Sequence, residues 1–327
     1  MTEVIENSDR PLVTFALFAY NQEKYIREAI EGALSQTYEP LEIILSDDCS
    51  KDRTFEIMKE VASAYDGPHR VRVRQGHENV GTLKHVLEVA DIARGVYLVV
   101  AAGDDVSMPD RTSSLVQSFT SQDIAAVSSD DIVIDEYGNE RDWQANRFQL
   151  RDRRHIENPT WILGATAAYR SELLKSLPMP AKKILHEDTT FQEVLSICER
   201  KSARIKKKLI KRRSHSFNVS FKEPVDNSIE QQEAAVMTRW ARKAEIMLYC
   251  SGVAFYISKD KQGALRKKYE RDSQYFNLLS RWMNLTFLER IELFLLAVTQ
   301  GRLRACVPRL FGRKLFKFMK SIKLNNL

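Results

Sequence analysis

The chain has 327 residues, 43% of them hydrophobic and 29% charged, a balance that supplies a packed core and excludes global disorder. Twelve Gly and nine Pro are too few for a collagen-like or linker-rich chain. The net charge of +6 is concentrated: Gly301 to Leu327 carries eight Lys or Arg and no acid, and Arg200 to Arg213 carries nine and no acid. The plain reading of such runs is a solvated face. Cys49, Cys198, Cys250 and Cys306 lie far apart, without disulfide-framework or zinc-ribbon spacing, which fits a reducing compartment. The acidic start MTEVIENSDR is no signal peptide, and the apolar stretch Ile291 to Val298, interrupted by Glu292, is too short to cross a bilayer. A cytoplasmic protein is expected.

In chain order, Leu12 to Phe18 is an apolar run of strand length, and Glu23 to Ser35 places Ile26, Ile30, Ala33 and Leu34 at helical spacing. Leu41 to Ser46 is a second strand, running into Asp47-Asp48-Cys49-Ser50, with Asp52 to Ala64 as a helix that Ser50 or Asp52 would cap. Val71 to Arg74 is a short strand, Thr82 to Ala93 a helix, and Val96 to Val100 a strand ending in Ala101-Ala102-Gly103-Asp104-Asp105. This alternation predicts βαβ units and a mostly parallel sheet. Ligands of such sheets bind beyond the carboxyl ends of the strands, and those ends carry Tyr20-Asn21, Asp47-Asp48 and Asp104-Asp105. Further on, Ile124 to Ile134 reads as a strand pair, Glu136 to Glu140 as a turn, and Thr189 to Cys198 as a helix opening after His186-Glu187-Asp188. Beyond Pro224 the chain turns helical, over 231–256, 262–279 and 288–299.

Each polar cluster has a chemical and a structural reading. A carboxylate after a strand accepts hydrogen bonds from a base or a ribose, but Asp47 serves equally well as a turn residue. Tyr20 offers stacking area or simply closes the strand. Asp104 and Asp105 suit a hard divalent cation that bridges two phosphates. Asp188 is placed either to take a proton or to cap a helix. Trp161 stacks on a sugar ring or belongs to the core.

Together, A-Y-N at 19–21, S-D-D-C-S-K-D-R-T at 46–54, N-V-G at 79–81, G-D-D at 103–105, H-E-D at 186–188 and R-R-S-H-S-F-N-V-S at 212–220 resemble family 2 glycosyltransferases of the GT-A fold, over about residues 11 to 222. The resemblance implies an α/β GT-A domain, a mostly parallel sheet flanked by helices, over 11–224. It would be preceded by a flexible N-terminus (1–10) and followed by a helical region with a basic amphipathic tail (225–327). It implies an inverting, metal-dependent transfer of a sugar from a nucleotide-diphosphate donor, UDP-sugar by default, to a hydroxyl of a glycan or lipid-linked glycan, in the setting of polysaccharide biosynthesis.

By the same resemblance, Phe18, Tyr20, Asn21, Asp48, Gly81 and Asp104 would bind the nucleotide. Asp104, Asp105 and His215 would hold Mg2+ or Mn2+, while Arg212 and Arg213 would neutralise the diphosphate, with Lys211 beside them. Asp188 would be the general base with Glu187 next to it, and Trp161 and Gly164 would line the acceptor side. The family pattern D-x-D has lost its first acid, since Ala102 stands there. A catalytically inactive sugar-nucleotide-binding scaffold is therefore the alternative.

In the tail, Leu310, Phe311, Leu315, Phe318, Met319 and Ile322 share one helical face and Arg313, Lys317, Lys320 and Lys323 the other. Such a helix suits an anionic membrane surface, at the inner face of the cell membrane, or packs on protein. Nucleic acid is not an expected partner: the first basic run lacks interleaved aromatics, and nucleic-acid binding leaves the acidic strand ends unexplained.

Overall fold

The computed structural model describes residues 10–141, 158–215, 229–257 and 263–310. The chain divides into two compact units, Met1–Phe221 and Lys222–Leu327. In the first unit β1 (Val13–Ala19) leads to α1 (Ile26–Leu34), β2 (Leu41–Asp47), α2 (Thr54–Ser63), β3 (Arg70–Gln75), α3 (Thr82–Ile92) and β4 (Tyr97–Ala102). Then follow β5 (Val106–Ser107), α4 (Arg111–Gln117), β6 (Ile124–Ile134), β7 (Ala167–Arg170), α5 (Ser171–Lys175), α6 (Glu187–Ile197) and β8 (Lys201–Arg213). The eight strands form one sheet in the order β3-β2-β1-β4-β7-β6-β8-β5. The first four run parallel, β7 is antiparallel to both its neighbours, and β6 is parallel to β8.

Every residue of β1 and β2 is buried, as continuous apolar runs in a sheet covered on both faces should be. A charged residue among them, inside β2, is Glu42. Burial alone would raise its pKa, but Thr14 Oγ1 (2.6 Å) and the Arg94 backbone and guanidinium N–H groups (2.6 and 3.0 Å) hydrogen-bond the carboxylate and hold it below the usual range. The registers Ala19↔Asp47 and Phe18↔Ala102 bring the ends of β1, β2 and β4 level. Backbone bonds from Asp48 N to Ala19 O (2.9 Å) and Gly103 N to Phe18 O (2.8 Å) carry the ladder one step past the strands. The polar clusters that follow each strand therefore share one sheet edge.

Two expectations are corrected. Ile124 to Ile134 is one eleven-residue strand, not a pair. Its polar middle, Ser128 to Asp131, is buried and paired with β7 and β8, with register shifts at Ser129/Asp130 and Asp130/Asp131. The basic run that looked like a solvated face is β8, and several of its cations face partners: Arg204 bonds Asp130, with side chains only 4% and 8% exposed, Arg212 bonds Asp131, Arg213 is buried, and at the surface Lys201 and Lys207 pair with Asp123 and Asp110. At the start of α2 the N-cap position falls on Arg53, and the expected Asp52, one residue earlier, accepts the Thr54 N–H on Oδ1 (3.0 Å).

The second unit contains α7 (Ile229–Ile257), α8 (Ala264–Ser280), α9 (Phe287–Thr299) and α10 (Leu303–Leu310). Its buried residues include Met247, Cys250 and Val253 of α7 and Tyr275, Leu278 and Leu279 of α8. Ser273 of α8 bonds the Ala244 carbonyl of α7 (2.8 Å). Thr286 and Glu289 form a capping box that starts α9. The Arg309–Glu233 pair (3.0 Å), nearly buried on both sides, ties α10 to α7. Among the described residues no helix is long and apolar enough to cross a membrane. The expected amphipathic tail, from residue 311 onward, lies outside the described residues, as does the expected flexible start at 1–9.

Candidate active site

The edge after β2 is built by two aspartates with different partners. Asp47 is fully buried and accepts hydrogen bonds from Ser50 N (2.9 Å), Ser50 Oγ and Gln75 Nε2 (2.9 Å). Asp48 reaches across to the Asn79-Val80-Gly81 turn: Oδ1 accepts Val80 N–H (2.9 Å) and Oδ2 accepts Gly81 N–H (3.0 Å). Gly81 sits at φ +82°, where a Cβ would stand 2.6 Å from Lys183 Cγ, so this turn is reserved for glycine. Lys183 Nζ in turn contacts Asn79 Oδ1. Asn21, with φ 53°, accepts Lys51 N–H on Oδ1 (2.8 Å) and donates its own N–H to Ser50 Oγ (2.7 Å). Tyr20 beside it is 41% exposed. Phe18 lies inward, edge-on to His85 with ring centroids 4.9 Å apart. His85 bonds Ser46 Oγ (2.5 Å), and burial, then the nearby Arg74 charge, lowers its pKa to about 4.

The edge after β4 carries Asp104 and Asp105. The end of β8 lies against it. His215 Nε2 and Asp104 Oδ2 stand 3.0 Å apart, and Tyr25 stacks on the imidazole (4.9 Å, 29°). Arg213 N–H donates to Asp105 Oδ1 (2.8 Å), and its guanidinium, 1% exposed, bonds the Asp104 carbonyl (3.1 Å), Glu28 Oε2 (2.7 Å) and the Glu136 carbonyl (3.2 Å) while lying 4.8 Å from the Tyr25 ring centre. Burial, then the Asp104 charge, pushes Asp105 well above the usual carboxylate range, against the pull of Arg213 N–H, Arg212 and Arg111. The two arginines expected at the diphosphate are thus engaged elsewhere. Arg213 braces the floor of the acidic edge, and Arg212 Nε bonds Asp131 (2.7 Å) between β8 and β6. Their sequence neighbourhood gave no sign of those distant acids.

Among the described residues no three or more His, Cys, Asp and Glu side chains are disposed to hold a metal ion. The Asp104–His215 pair nevertheless fits a cation of the Mg2+ or Mn2+ kind. Such ions take carboxylate, or for Mn2+ imidazole, from the protein and complete their shell with phosphate oxygens and water.

A second acidic pair opens α6. Asp188 Oδ1 accepts Thr189 N–H (2.6 Å). Burial, then the charge of Asp188, raises Glu187 to about 8. Tyr169 of β7, its ring 4.9 Å from Phe191, is buried, and its pKa is raised well above the phenolic value by burial, then by the charges of Glu187 and Asp188. Gly164 opens a short turn against this pair: a Cβ there would lie 2.7 Å from Glu187 Oε1 and 2.9 Å from Asp188 Cβ. Trp161 is half-buried, with its carbonyl accepting Ser202 Oγ–H (2.8 Å), and Gln192 Nε2 donates to the Ile162 carbonyl (3.0 Å), so the segment is tied to β8 and α6.

Arg111 ties β4 to the turn at Gly164. One guanidinium nitrogen bonds both the Val100 carbonyl of β4 (2.6 Å) and the Ala165 carbonyl beside Gly164 (3.0 Å), and its charge acts on Asp105. Sequence reasoning missed Arg111, Tyr25 and Glu28. Arg111 carries no motif. Tyr25 follows Tyr20-Asn21 by one helical turn and was there to be noticed.

Residues 14–177 match the family model described as glycosyl transferase family 2. Among curated relatives, an uncharacterised protein of Mycobacterium tuberculosis is 43% identical over 88 residues, 27% of this chain and 25% of that protein. The putative glycosyltransferase EpsE of Bacillus subtilis is 34% identical over 132 residues, 39% of this chain and 46% of that one. The chain thus spans from a quarter to under half of these relatives' length. Among solved structures, a mannosyltransferase of Pyrobaculum calidifontis in complex with GDP-Man and Mn2+ is similar over 93% of this chain and 86% of its own, with TM-score 0.56 and 15% identity. S. aureus TarS 1–349 in complex with UDP-GlcNAc is similar over 91% and 89%, with TM-score 0.53 and 15% identity. At such identity the likeness is one of fold: the chain has the α/β GT-A architecture.

Proposed function

The chain belongs to glycosyl transferase family 2, and from that premise we propose that it moves a sugar, with inversion, from a nucleoside-diphosphate donor to a hydroxyl of a glycan or lipid-linked glycan, at the inner face of the cell membrane. The observation that carries this reading is the shared sheet edge after β1, β2 and β4, where Asp48 holds the Val80–Gly81 turn and Asp104 Oδ2 meets His215 Nε2 at 3.0 Å. Of the two acidic pairs, one is braced by cations and the other is not.

The nucleotide would lie along the ends of β1 and β2. Tyr20 presents an exposed ring for stacking. The Asp48 carboxylate oxygens each spend one lone pair on the Val80–Gly81 turn and keep another for base or ribose. The turn itself, held open at Gly81, frames that position. UDP is the default donor nucleotide, and TarS bound to UDP-GlcNAc and the mannosyltransferase bound to GDP-Man make both UDP and GDP worth testing.

Asp104 and His215 would hold Mg2+ or Mn2+, with Asp105 buried behind them. A cation bound there supplies Lewis-acid stabilisation of the charge on the departing diphosphate. Arg213 keeps Asp104 in place through its carbonyl and holds Tyr25 against His215.

Asp188 would take the acceptor's hydroxyl proton. As the acceptor oxygen bonds to the anomeric carbon, the bond from that carbon to the diphosphate oxygen breaks on the opposite face, and its electron pair leaves with the nucleotide. One base suffices for a single displacement, whereas a double displacement needs a second, nucleophilic carboxylate. Glu187, with its pKa raised to about 8, stays largely protonated at neutral pH. Trp161 and Gly164 border the acceptor side, Gly164 by leaving room for the two carboxyl groups.

A radiolabelled-sugar transfer assay with UDP- and GDP-sugars tests the reading. Wild type is expected to transfer or slowly hydrolyse one donor, and Asp188→Asn to bind that donor without transferring. A scaffold protein would bind nucleotide equally in both forms and turn over in neither.

A further inference from the structure

Helix α9 leaves one face bare within its own unit. Phe287, Leu288, Ile291, Phe294, Leu295 and Val298 are each 41–76% exposed, and at 100° per residue they form one stripe about 120° wide. Leu293 and Ala297 on the opposite face are fully buried. The charged residues of the helix flank the stripe and have partners: Glu289 bonds Arg281 (2.7 Å), Arg290 bonds the Arg309 carbonyl (3.1 Å), and Glu292 bonds Gln274. Six large apolar side chains in a row without an intervening charge exceed the scattered exposure ordinary on a protein surface.

The charge that follows this face in sequence points to what covers it. Gly301 to Leu327 carries eight Lys or Arg and no acid, and of these Arg302 and Arg309 pair with Asp272 and Glu233 within the unit. Two copies meeting through this end would bring like charges together, whereas an anionic surface would be attracted to it. An apolar helical stripe next to cations is the composition of a helix lying in a membrane interface. Because no described helix is long and apolar enough to cross a bilayer, any such contact would be interfacial.

We propose that α9 docks the protein on an anionic lipid bilayer, its stripe reaching the acyl boundary while the basic stretch after it meets headgroup phosphates. The inference locates the contact on a described helix and not on the terminal segment alone. It rests on the membrane location proposed above, but vesicle binding reads no chemistry, so the docking and the sugar transfer can fail separately.

The test is flotation of the full chain with phosphatidylcholine vesicles containing about a third phosphatidylglycerol, against phosphatidylcholine alone. Wild type is expected to float with the anionic vesicles, less at high salt, and weakly with the neutral ones. Leu288→Ser/Ile291→Ser/Leu295→Ser is expected to lower partition about 100-fold, and Leu288→Met/Ile291→Met/Leu295→Met to keep it. Should the serine variant misfold, the single Leu288→Ser reads the same face with a loss of about fivefold. Serine variants that float like wild type overturn the proposal, as does wild type that ignores anionic vesicles. A wild type that dimerises without lipid, and that the serine variant returns to monomer, gives the face to a second copy and overturns it too.

Discussion

Asp104–Asp105 and Glu187–Asp188 are both adjacent carboxylates at the end of an element, yet their surroundings set them apart. The first pair is hemmed by cationic or polar groups: His215 at Asp104, Arg213 N–H at Asp105, and the charges of Arg111 and Arg212 nearby. The second has the Thr189 N–H and a wall of Tyr169 and Gly164, and among the described residues neither of its carboxylates is paired with a Lys or Arg. In both pairs burial and the neighbouring acid push one member upward. A braced, cation-facing pair suits an anionic leaving group, and an unbraced one keeps a proton within reach. Sequence spacing alone, D-D against E-D, carries none of this difference.

The comparison breaks most visibly at its catalytic end. Asp188→Asn is expected to lower kcat by about 10²–10⁴-fold with donor affinity unchanged by calorimetry; a loss under tenfold would move the base elsewhere. At the braced end, Arg213→Met removes the guanidinium that joins Asp104, Glu28 and Glu136, and urea unfolding is expected to show a loss of about 1–3 kcal/mol, because the buried Asp104 carbonyl loses its charged donor while the exposed Glu28 is rehydrated. Gly164→Ala sharpens the contrast, since its Cβ collides with Glu187 and Asp188 and not with the braced pair. It should lower kcat about tenfold while the donor KM holds.

A further contrast lies in the pH dependence of stability. Glu187 has its folded pKa raised from 4.5 to about 8. Its contribution is therefore fully present below about pH 4.5 and is lost as pH rises through about 8. Glu187→Gln should flatten the fall in Tm over that window, and a melting series from pH 5 to pH 9 checks it. Parallel curves for the two proteins would show that Glu187 is ionised throughout.

Much of the sheet was legible because β1, β2 and β4 are continuous apolar runs at βα spacing, and a polar residue directly after such a run has to lie at the sheet edge. What escaped depends on partners far along the chain. Ile124 to Ile134 reads as a strand pair until β8 supplies Arg204 and Arg212 to the acids in its middle, 74 and 81 residues away. The same pairing turned an apparent solvated charge run into a half-buried strand. Arg212 and Arg213 were assigned to the diphosphate by resemblance, while their neighbours in space supply Asp131 and Glu28. Helix α9 was legible as a helix. Its bare face was not, because apolar residues on several sides of a helix do not say which side its unit covers.

The claim underneath all of this is that the acidic edge after β4 grips a nucleoside diphosphate through a divalent cation. Calorimetric titration of UDP and GDP, with and without Mn2+, into wild type, Asp104→Asn and His215→Ala tests it directly. The account predicts tight binding of one nucleotide to wild type only with Mn2+ present, and loss of the metal-dependent gain in both variants. Equal affinity with and without Mn2+, or variants indistinguishable from wild type, would contradict it.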